Sequence, residues 1–174
     1  MSRFEPVDGR SQLILEGESS IHPLHTATNE LKGYFEATLD ADGQLDLSVP
    51  VSGQVEMLVE SMKSNNALID REMQKRLNTR RYPRVVAELL ALRQQNGPGH
   101  YLAAGDLTFH GVTRRLEDEL IVRQVDERTV EIQGEITIDV RNFNVDPPKL
   151  LILRVYPEVK VNLRFVVACV DGQS

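Results

Sequence analysis

The 174-residue chain contains no tryptophan and only 5% aromatic residues, so its core must be built mainly from aliphatic side chains. A single cysteine, Cys169, excludes an internal disulfide and a thiolate metal cluster. Positive charge is not in excess: 20 Lys plus Arg stand against 26 Asp plus Glu, a net charge of −6. Nucleic-acid binding needs a basic face to release counterions from phosphates, and this balance argues against it. No apolar run approaches the roughly 18 residues of a membrane-spanning helix. The opening Met1-Ser2-Arg3-Phe4-Glu5-Pro6 lacks the apolar segment of a secretory signal, so with Met1 as the start the expectation is a cytoplasmic protein. Linkers, low-complexity segments and solenoid-spaced repeats are also missing, and 1–174 reads as one domain.

What is present is alternation with period two, the mark of half-buried antiparallel strands. Leu13 and Leu15 alternate with Gln12 and Glu16, and Phe35, Ala37 and Leu39 with Tyr34, Glu36 and Thr38. Leu45, Leu47, Val49 and Val51 give a further run, which Pro50 confines to an edge or a bend. Val55, Met57 and Val59 follow, then Leu107 with Phe109, and Leu116, Leu120 and Val122. The cleanest run is Val130, Ile132, Gly134, Ile136, Ile138 and Val140; the last is Val159, Val161, Leu163, Phe165 and Val167. Turn signals at Asp40-Ala41-Asp42-Gly43, Asn96-Gly97-Pro98-Gly99, His110-Gly111 and Asp126-Glu127 separate them.

One segment has a different period. Ile69, Met73 and Leu77 recur every four positions, which predicts an amphipathic helix over about 65–78, capped by Ser64 or Asn65 and stopped by Pro83. Many strands and one helix fit a sandwich or an up-and-down barrel, and the pattern alone does not separate the two. Residues 85–92 are apolar on both faces, so the outer face calls for cover by the helix or a second subunit. Leu150-Leu151-Ile152-Leu153 reads as a core segment after a tight turn, with a strand, a short helix or a lid as the other forms.

No catalytic constellation is assembled. His22-Pro23-Leu24-His25 places two imidazoles three residues apart, but a metal needs further ligands, and His100 and His110 fall in separate turns. Cys169 lies in an apolar strand, where a thiol is an inert small hydrophobe. No Gly-x-Ser-x-Gly elbow and no phosphate-cradling Gly-rich loop occurs. Glu117 and Glu119 share a solvent parity, whereas Asp118 has the parity of Leu116 and Leu120 and points inward, at a wet mouth or towards a partner. The expectation is therefore no catalytic residue, no metal and no cofactor.

A closed barrel of about eight strands either fills with side chains or holds a small ligand. Small residues at inward parity, Gly17, Gly33, Ala37, Ala87, Ala91, Ala103, Gly105 and Gly134, favour a cavity, although glycines also serve strand bending. The lining candidates are Leu13, Leu15, Phe35, Met57, Leu89, Leu107, Phe109, Leu120, Ile136, Ile138, Leu163 and Phe165, each of which is equally a plain core position.

Five stretches resemble the YceI-like family, bacterial lipocalin-like proteins associated with polyisoprenoid binding. They are Gly9-Arg10-Ser11-Gln12-Leu13-Ile14-Leu15, Leu31-Lys32-Gly33-Tyr34-Phe35 and Arg81-Tyr82-Pro83-Arg84-Val85, with two more further along. Of those, Gly105-Asp106-Leu107-Thr108-Phe109-His110-Gly111-Val112-Thr113 is the most diagnostic, and Ile136-Thr137-Ile138-Asp139-Val140-Arg141-Asn142-Phe143-Asn144-Val145 is a looser match in the place of an Arg-x-x-Phe-Gly pattern. The resemblance implies an all-β fold: an eight-stranded antiparallel lipocalin-like barrel with one helix beside it. It further implies a hydrophobic tunnel for a long lipid tail, no established catalysis, and dimers among the members. Departures are Ile21-His22-Pro23-Leu24-His25 in place of a His-Leu-Gly turn, Asn144 where glycine is usual, and the Pro147-Pro148-Lys149 stretch.

The expected function is thus non-catalytic binding of an isoprenoid or other long-chain lipid inside the barrel, for transport, storage or sensing. A protein-interaction module with a filled barrel, working through 85–92 or 150–155, is the alternative. An enzyme using His22, His25 or Asp118 at a shared mouth is a third.

Overall fold

The computed structural model describes residues 1–147, 149–150 and 153–170, with 149, 150 and 153 as backbone. In chain order the strands are β1 (Ser2–Pro6), β2 (Gln12–Ser19), β3 (Leu24–Thr28), β4 (Lys32–Ala37) and β5 (Ser52–Leu58). Helix α1 (Ala67–Arg76) follows, then β6 (Arg84–Gln94), β7 (His100–Phe109), β8 (Val112–Gln124), β9 (Thr129–Asp139), β10 (Lys149–Leu150) and β11 (Leu153–Cys169). The pairing order β1-β4-β5-β6-β7-β8-β9-β11 returns to β1, so the sheet closes into an eight-stranded antiparallel barrel.

Two of the eight positions are each shared by two short strands. β1 and β2 lie end to end along β11, because Phe4 pairs with Cys169 while Leu13 pairs with Leu163. β4 and β3 follow them, with Phe4 opposite Phe35 and Leu15 opposite Thr26. The break between β1 and β2 would leave the ladder of β11 unsatisfied at Val166, which is fully buried. Val166 N–H instead donates to the Ser11 hydroxyl at 2.9 Å, and Val7 N–H donates to Val166 carbonyl at 3.0 Å. Gly9 makes the turn between them at φ +76°, the left-handed region that favours glycine.

Turn chemistry sets the hairpins. His110 (φ 54°) and Gly111 (φ 75°) both adopt positive φ between β7 and β8, the requirement of a tight two-residue hairpin. The resulting ladder is unbroken from His100 opposite Ile121 to Phe109 opposite Val112. Gly33, at φ +135°, allows a close crossing of β4 over β5: a Cβ there would lie 1.8 Å from the Gln54 carbonyl oxygen. Gly33 therefore serves this close approach rather than leaving volume open, while Gly105, whose Cβ would lie 2.5 Å from the Glu88 carbonyl oxygen, allows β7 to approach β6 and also lines the interior. Ala37 is fully buried in packed core, and Ala91, beyond a bulge at Leu89, is exposed. Of the small residues expected to hollow the barrel, Gly33, Ala37 and Ala91 do something else.

Helix α1 is shorter than its sequence period suggests, and its cap is neither Ser64 nor Asn65. Asn66 has the extended backbone of a cap and its side chain accepts from Leu68 and Ile69 N–H at 3.1 and 3.2 Å. Asn65 is left-handed (φ 68°), and Ser64 donates its hydroxyl to Asp70 instead, at 2.6 Å. Asn78, at φ 50°, ends the helix. The helix buries Ile69 against Leu24, Met73 and Val155, at the start of β3 and of β11. It leaves the outer face of β6 uncovered, where Leu90 is 41% exposed.

Two further expectations change. The run from Leu45 to Val51 is a loop: only Leu45 bridges, to Leu39, because Asp46 takes the N–H and hydroxyl of Ser48 into a turn. Of Leu150-Leu151-Ile152-Leu153, the two central residues lie outside the described ones, and Leu150 pairs with Leu153 in the β10–β11 hairpin.

Candidate functional site

The two ends of the barrel are built differently. At the end holding the β1 start and the β8–β9 hairpin, Phe4, Phe35, Ala37, Leu45, Tyr101, Val122, Val130, Phe165 and Val167 form one buried cluster. Phe4 and Phe35 stack with centroids 6.2 Å apart, and Tyr101, 1% exposed, accepts the Leu45 N–H on its hydroxyl at 3.2 Å. This end is a solid floor.

Towards the helix end, the same inward parity becomes half-buried. Along β9, Val130 and Ile132 are buried, while Gly134, Ile136 and Ile138 are not; along β11, Phe165 and Val167 are buried, while Val161 and Leu163 are not. What the latter residues face is an interior cavity of about 300 Å³. Its wall takes Leu13 and Leu15 from β2, Phe35 from β4, Met57 from β5, Leu89 from β6, and Leu107 and Phe109 from β7. Leu120 from β8, Ile136 and Ile138 from β9, and Leu163 and Phe165 from β11 complete the group that parity had singled out. The structure thus brings all of these together around one space, with Phe35 and Phe165 as its floor. A barrel filled with side chains, the premise of the interaction-module reading, is not what is found.

Ala87, Ala103 and Gly134, expected at inward parity to leave volume, do line the space, whereas Leu31, Val55, Val85, Leu92, Leu116 and Val161 are not among the lining candidates. Of these six, Leu31, Val55, Leu116 and Val161 belong to the same alternating runs, so extending each run would have found them. Leu31 extends the Gly33, Phe35 and Ala37 run back by one step, into the turn before β4.

The helix end is roofed by a 3-10 turn at Val140–Phe143. Phe143, 1% exposed, stacks on Phe109 at 5.7 Å, and its carbonyl lies 3.2 Å from His110 Nδ1. Arg114 donates to the Asn142 carbonyl at 2.9 Å. Asp139 caps the turn by accepting from Arg141 N–H at 2.9 Å, and the Arg141 guanidinium donates to the same carboxylate at 2.6 Å. Hydrogen bonds from the Arg141 side chain, then from its backbone N–H, hold Asp139 below the usual carboxylate range, and the hydrogen bond to the Asp139 carboxylate, then its charge, hold Arg141 above its ordinary value. Asn144 takes the left-handed conformation (φ 55°) in which glycine is otherwise expected, so the substitution keeps the turn.

The walls have two seams. Between β3 and β5 the gap is stitched: Ala27 and Lys63 exchange both backbone hydrogen bonds at 3.0 Å, Thr28 donates to the Ser61 hydroxyl at 2.9 Å, and Leu31 and Met62 are buried. Between β8 and β9 it is open. Their ladder spans only Leu120–Gln124 with Val130–Gly134, although β8 begins at Val112 and β9 runs to Asp139. A slit results, with Leu116 and Asp118 on one lip and Ile136 and Ile138 on the other. Asp118 keeps its inward parity, opposite Ala103, yet is exposed. Asp118, Glu119, Gly134 and Glu135 border both the interior cavity and a hollow on the outer surface.

The outer parity carries the charge. Arg3 pairs with Glu36 at 2.7 Å, Arg115 with Asp106 at 2.6 Å and Lys160 with Glu135 at 3.1 Å, which ties each strand's polar face to solvent and fixes register. Glu131, 3% exposed, is held by Arg123 at 3.3 Å and Arg164 at 3.0 Å. The histidines do not converge on the cavity. His22 Nδ1 lies 2.8 Å from the Pro23 carbonyl in an exposed turn, and neither it nor His25 lines the space that Asp118 borders. No group of three or more His, Cys, Asp or Glu side chains is placed to hold a metal among the described residues.

Comparison with known proteins agrees with this architecture. The crystal structure of BcnA from Burkholderia cenocepacia superposes with a TM-score of 0.77 at 18% identity, over 92% of this chain and 98% of that one. A domain from Saccharophagus degradans, described as polyisoprenoid binding and implicated in plant cell wall breakdown, gives 0.75 at 13% identity, over 97% and 99%. The Campylobacter jejuni YceI protein gives 0.58 at 12% identity, over 77% and 80%. No curated protein sequence matches significantly. The family model for the YceI-like domain matches residues 14–167, nearly the whole barrel, and the chain belongs to that family.

Proposed function

We propose that this protein binds the tail of a long apolar lipid, a polyisoprenoid or fatty-acyl chain, inside the barrel without transforming it, and so carries, stores or senses that lipid. The observation that carries the reading is the aliphatic cavity above a solid floor. A similar barrel from Saccharophagus degradans is described as polyisoprenoid binding, which supports the same ligand class here.

Size gives the energetics. Water occupies about 30 Å³ per molecule in the liquid and a methylene is of similar bulk, so about 300 Å³ holds about ten chain carbons. Each buried CH₂ contributes about 0.8 kcal/mol, which gives about 8 kcal/mol before the cost of ordering the chain. A longer tail must run out of the cavity.

Native mass spectrometry of freshly purified protein tests the reading. The expected result is a lipid adduct that organic extraction removes and a ten-carbon prenyl alcohol restores. Extracted, folded protein that takes up neither the alcohol nor its own extract would overturn it. The same spectrum reads subunit number, and the uncovered Leu90 on the outer face of β6 supports a homodimer.

A further inference from the structure

We infer that the lipid tail enters and leaves through the side of the barrel, between β8 and β9, and that Asp118 on the lip of that slit selects against anionic headgroups. This rests on the proposed lipid binding and deepens it by naming the route and the headgroup class.

Three observations meet at the slit. First, the β8–β9 ladder stops at Leu120 and Gly134, so the wall beyond them is held by no backbone hydrogen bonds between these two strands. Second, among the described residues the floor is packed, the β3–β5 seam is stitched by Ala27, Lys63, Thr28 and Ser61, and Phe143 packs against Phe109 at the helix end. Third, Asp118 is a charge at an inward position between Leu116 and Leu120, and it stays hydrated only because the wall is open beside it. Its carboxylate accepts the Glu119 N–H at 2.7 Å and has no cation partner among the described residues.

Its neighbours at the rim are already hydrogen-bonded or ion-paired. Glu119 lies 2.5 Å from His100 Nδ1, Glu135 pairs with Lys160, and Glu117 faces Arg93 at 3.9 Å. Arg164 on the outer hollow is committed to Glu131. A headgroup held at the slit therefore meets net negative charge, with Asp118 the carboxylate that has no cation partner among the described residues. An alcohol, a quinone-like ring or an amine is accommodated there, and a phosphate or carboxylate is repelled. Two like charges about 6 Å apart at an effective dielectric of about 40 weaken binding about ten-fold, and salt reduces the effect.

The test uses three probes with one tail: a ten-carbon prenyl alcohol, the corresponding amine and the corresponding monophosphate, added to extracted protein. In a Cys169→Ala background, Asp118→Cys is labelled with a bulky maleimide, and Glu127→Cys on the closed-end hairpin is labelled identically as the control. The expected result is alcohol uptake slowed at least about ten-fold by the label at 118 and unchanged by the label at 127. Equal uptake rates overturn the lateral route. In the unlabelled protein the monophosphate should bind about ten-fold more weakly than the alcohol at low salt, and Asp118→Asn should remove most of that gap. A gap untouched by Asp118→Asn, or no gap, overturns the headgroup assignment. Failure of the unlabelled protein to take up the alcohol at all refutes lipid binding itself, a result distinct from either of these.

Discussion

Ala103 and Ala37 have the same inward parity and the same side chain, and replacing each by leucine should have opposite effects. Ala37 is fully buried among the floor residues, whereas Ala103, opposite Leu92 and Asp118, is half-buried on the cavity wall. Leucine adds three carbons. In close-packed core an added side chain displaces its neighbours, at a cost of about 1–3 kcal/mol. In a hollow it removes apolar surface from water at about 0.8 kcal/mol per carbon, about 2.4 kcal/mol in all, less about 0.5–1 kcal/mol of lost rotamer freedom. Ala103→Leu should therefore stabilise the lipid-free protein by about 1–2 kcal/mol, and Ala37→Leu should destabilise it.

The assay is urea unfolding followed by far-ultraviolet circular dichroism, since the chain has no tryptophan to report. An unchanged m-value with a shifted midpoint assigns the change to stability. Lipid affinity supplies the second readout. In Ala103→Leu the larger side chain takes three methylenes' worth of cavity, which costs the tail about 2.4 kcal/mol, about fifty-fold in Kd. Destabilisation at both positions with lipid affinity unmoved would refute the hollow upper barrel, and with it the distinction between wall and floor.

Other sites give sharper local tests. Ser11→Ala removes the acceptor of the buried Val166 N–H and should cost about 1–3 kcal/mol by the same urea assay, with Ser11→Thr milder. Gly33→Ala should fail to accumulate as folded protein because its Cβ meets the Gln54 carbonyl, while Gly17→Ala, with nothing within 4 Å, should stay within about 1 kcal/mol of the parent. Acid should loosen the roof of the barrel before the floor. Asp139 has a folded-state pKa below its unfolded value, so its contribution is complete above about pH 4 and is lost as the pH falls through the lower, folded value. The protection of the Arg141 amide, relative to its intrinsic exchange rate at each pH, should fall across that window in the parent and be low throughout in Asp139→Ala, which removes the acceptor.

Much of the barrel was legible because a half-buried strand must alternate, and β9 and β11 do so without interruption. Legibility failed where alternation and hydrogen bonding part company. Leu45, Leu47, Val49 and Val51 alternate, but the Asp46–Ser48 turn takes up the local backbone groups and no ladder forms. β3 is the reverse case: Leu24, Thr26 and Thr28 face inward with two hydroxyls among them, so no apolar period announces a strand that pairs fully with β2. β1 is only five residues long, too short for period to speak. The helix cap was misplaced by one residue because Ser64, Asn65 and Asn66 are all good caps by type. Only backbone conformation, extended at Asn66 and left-handed at Asn65, decides between them.

The cavity wall followed from parity, but its opening did not, and the reason is physical. Nothing in the alternation of the Leu116–Val122 and Val130–Val140 runs says where two strands stop pairing. That boundary is set by the curvature of the closed barrel, where β9 stays with β11 as far as Asp139 while β8 stays with β7 as far as Val112. One residue nonetheless carried the information. Asp118 sits where an apolar side chain belongs, and a buried carboxylate without a partner would be too costly to keep. Either a cation had to reach it inside the barrel, or the wall had to let water in. The structure takes the second course, and it does so at the position where the ladder has ended. A misfit in parity is thus a better marker of a break in a barrel wall than any feature of the strands that flank it.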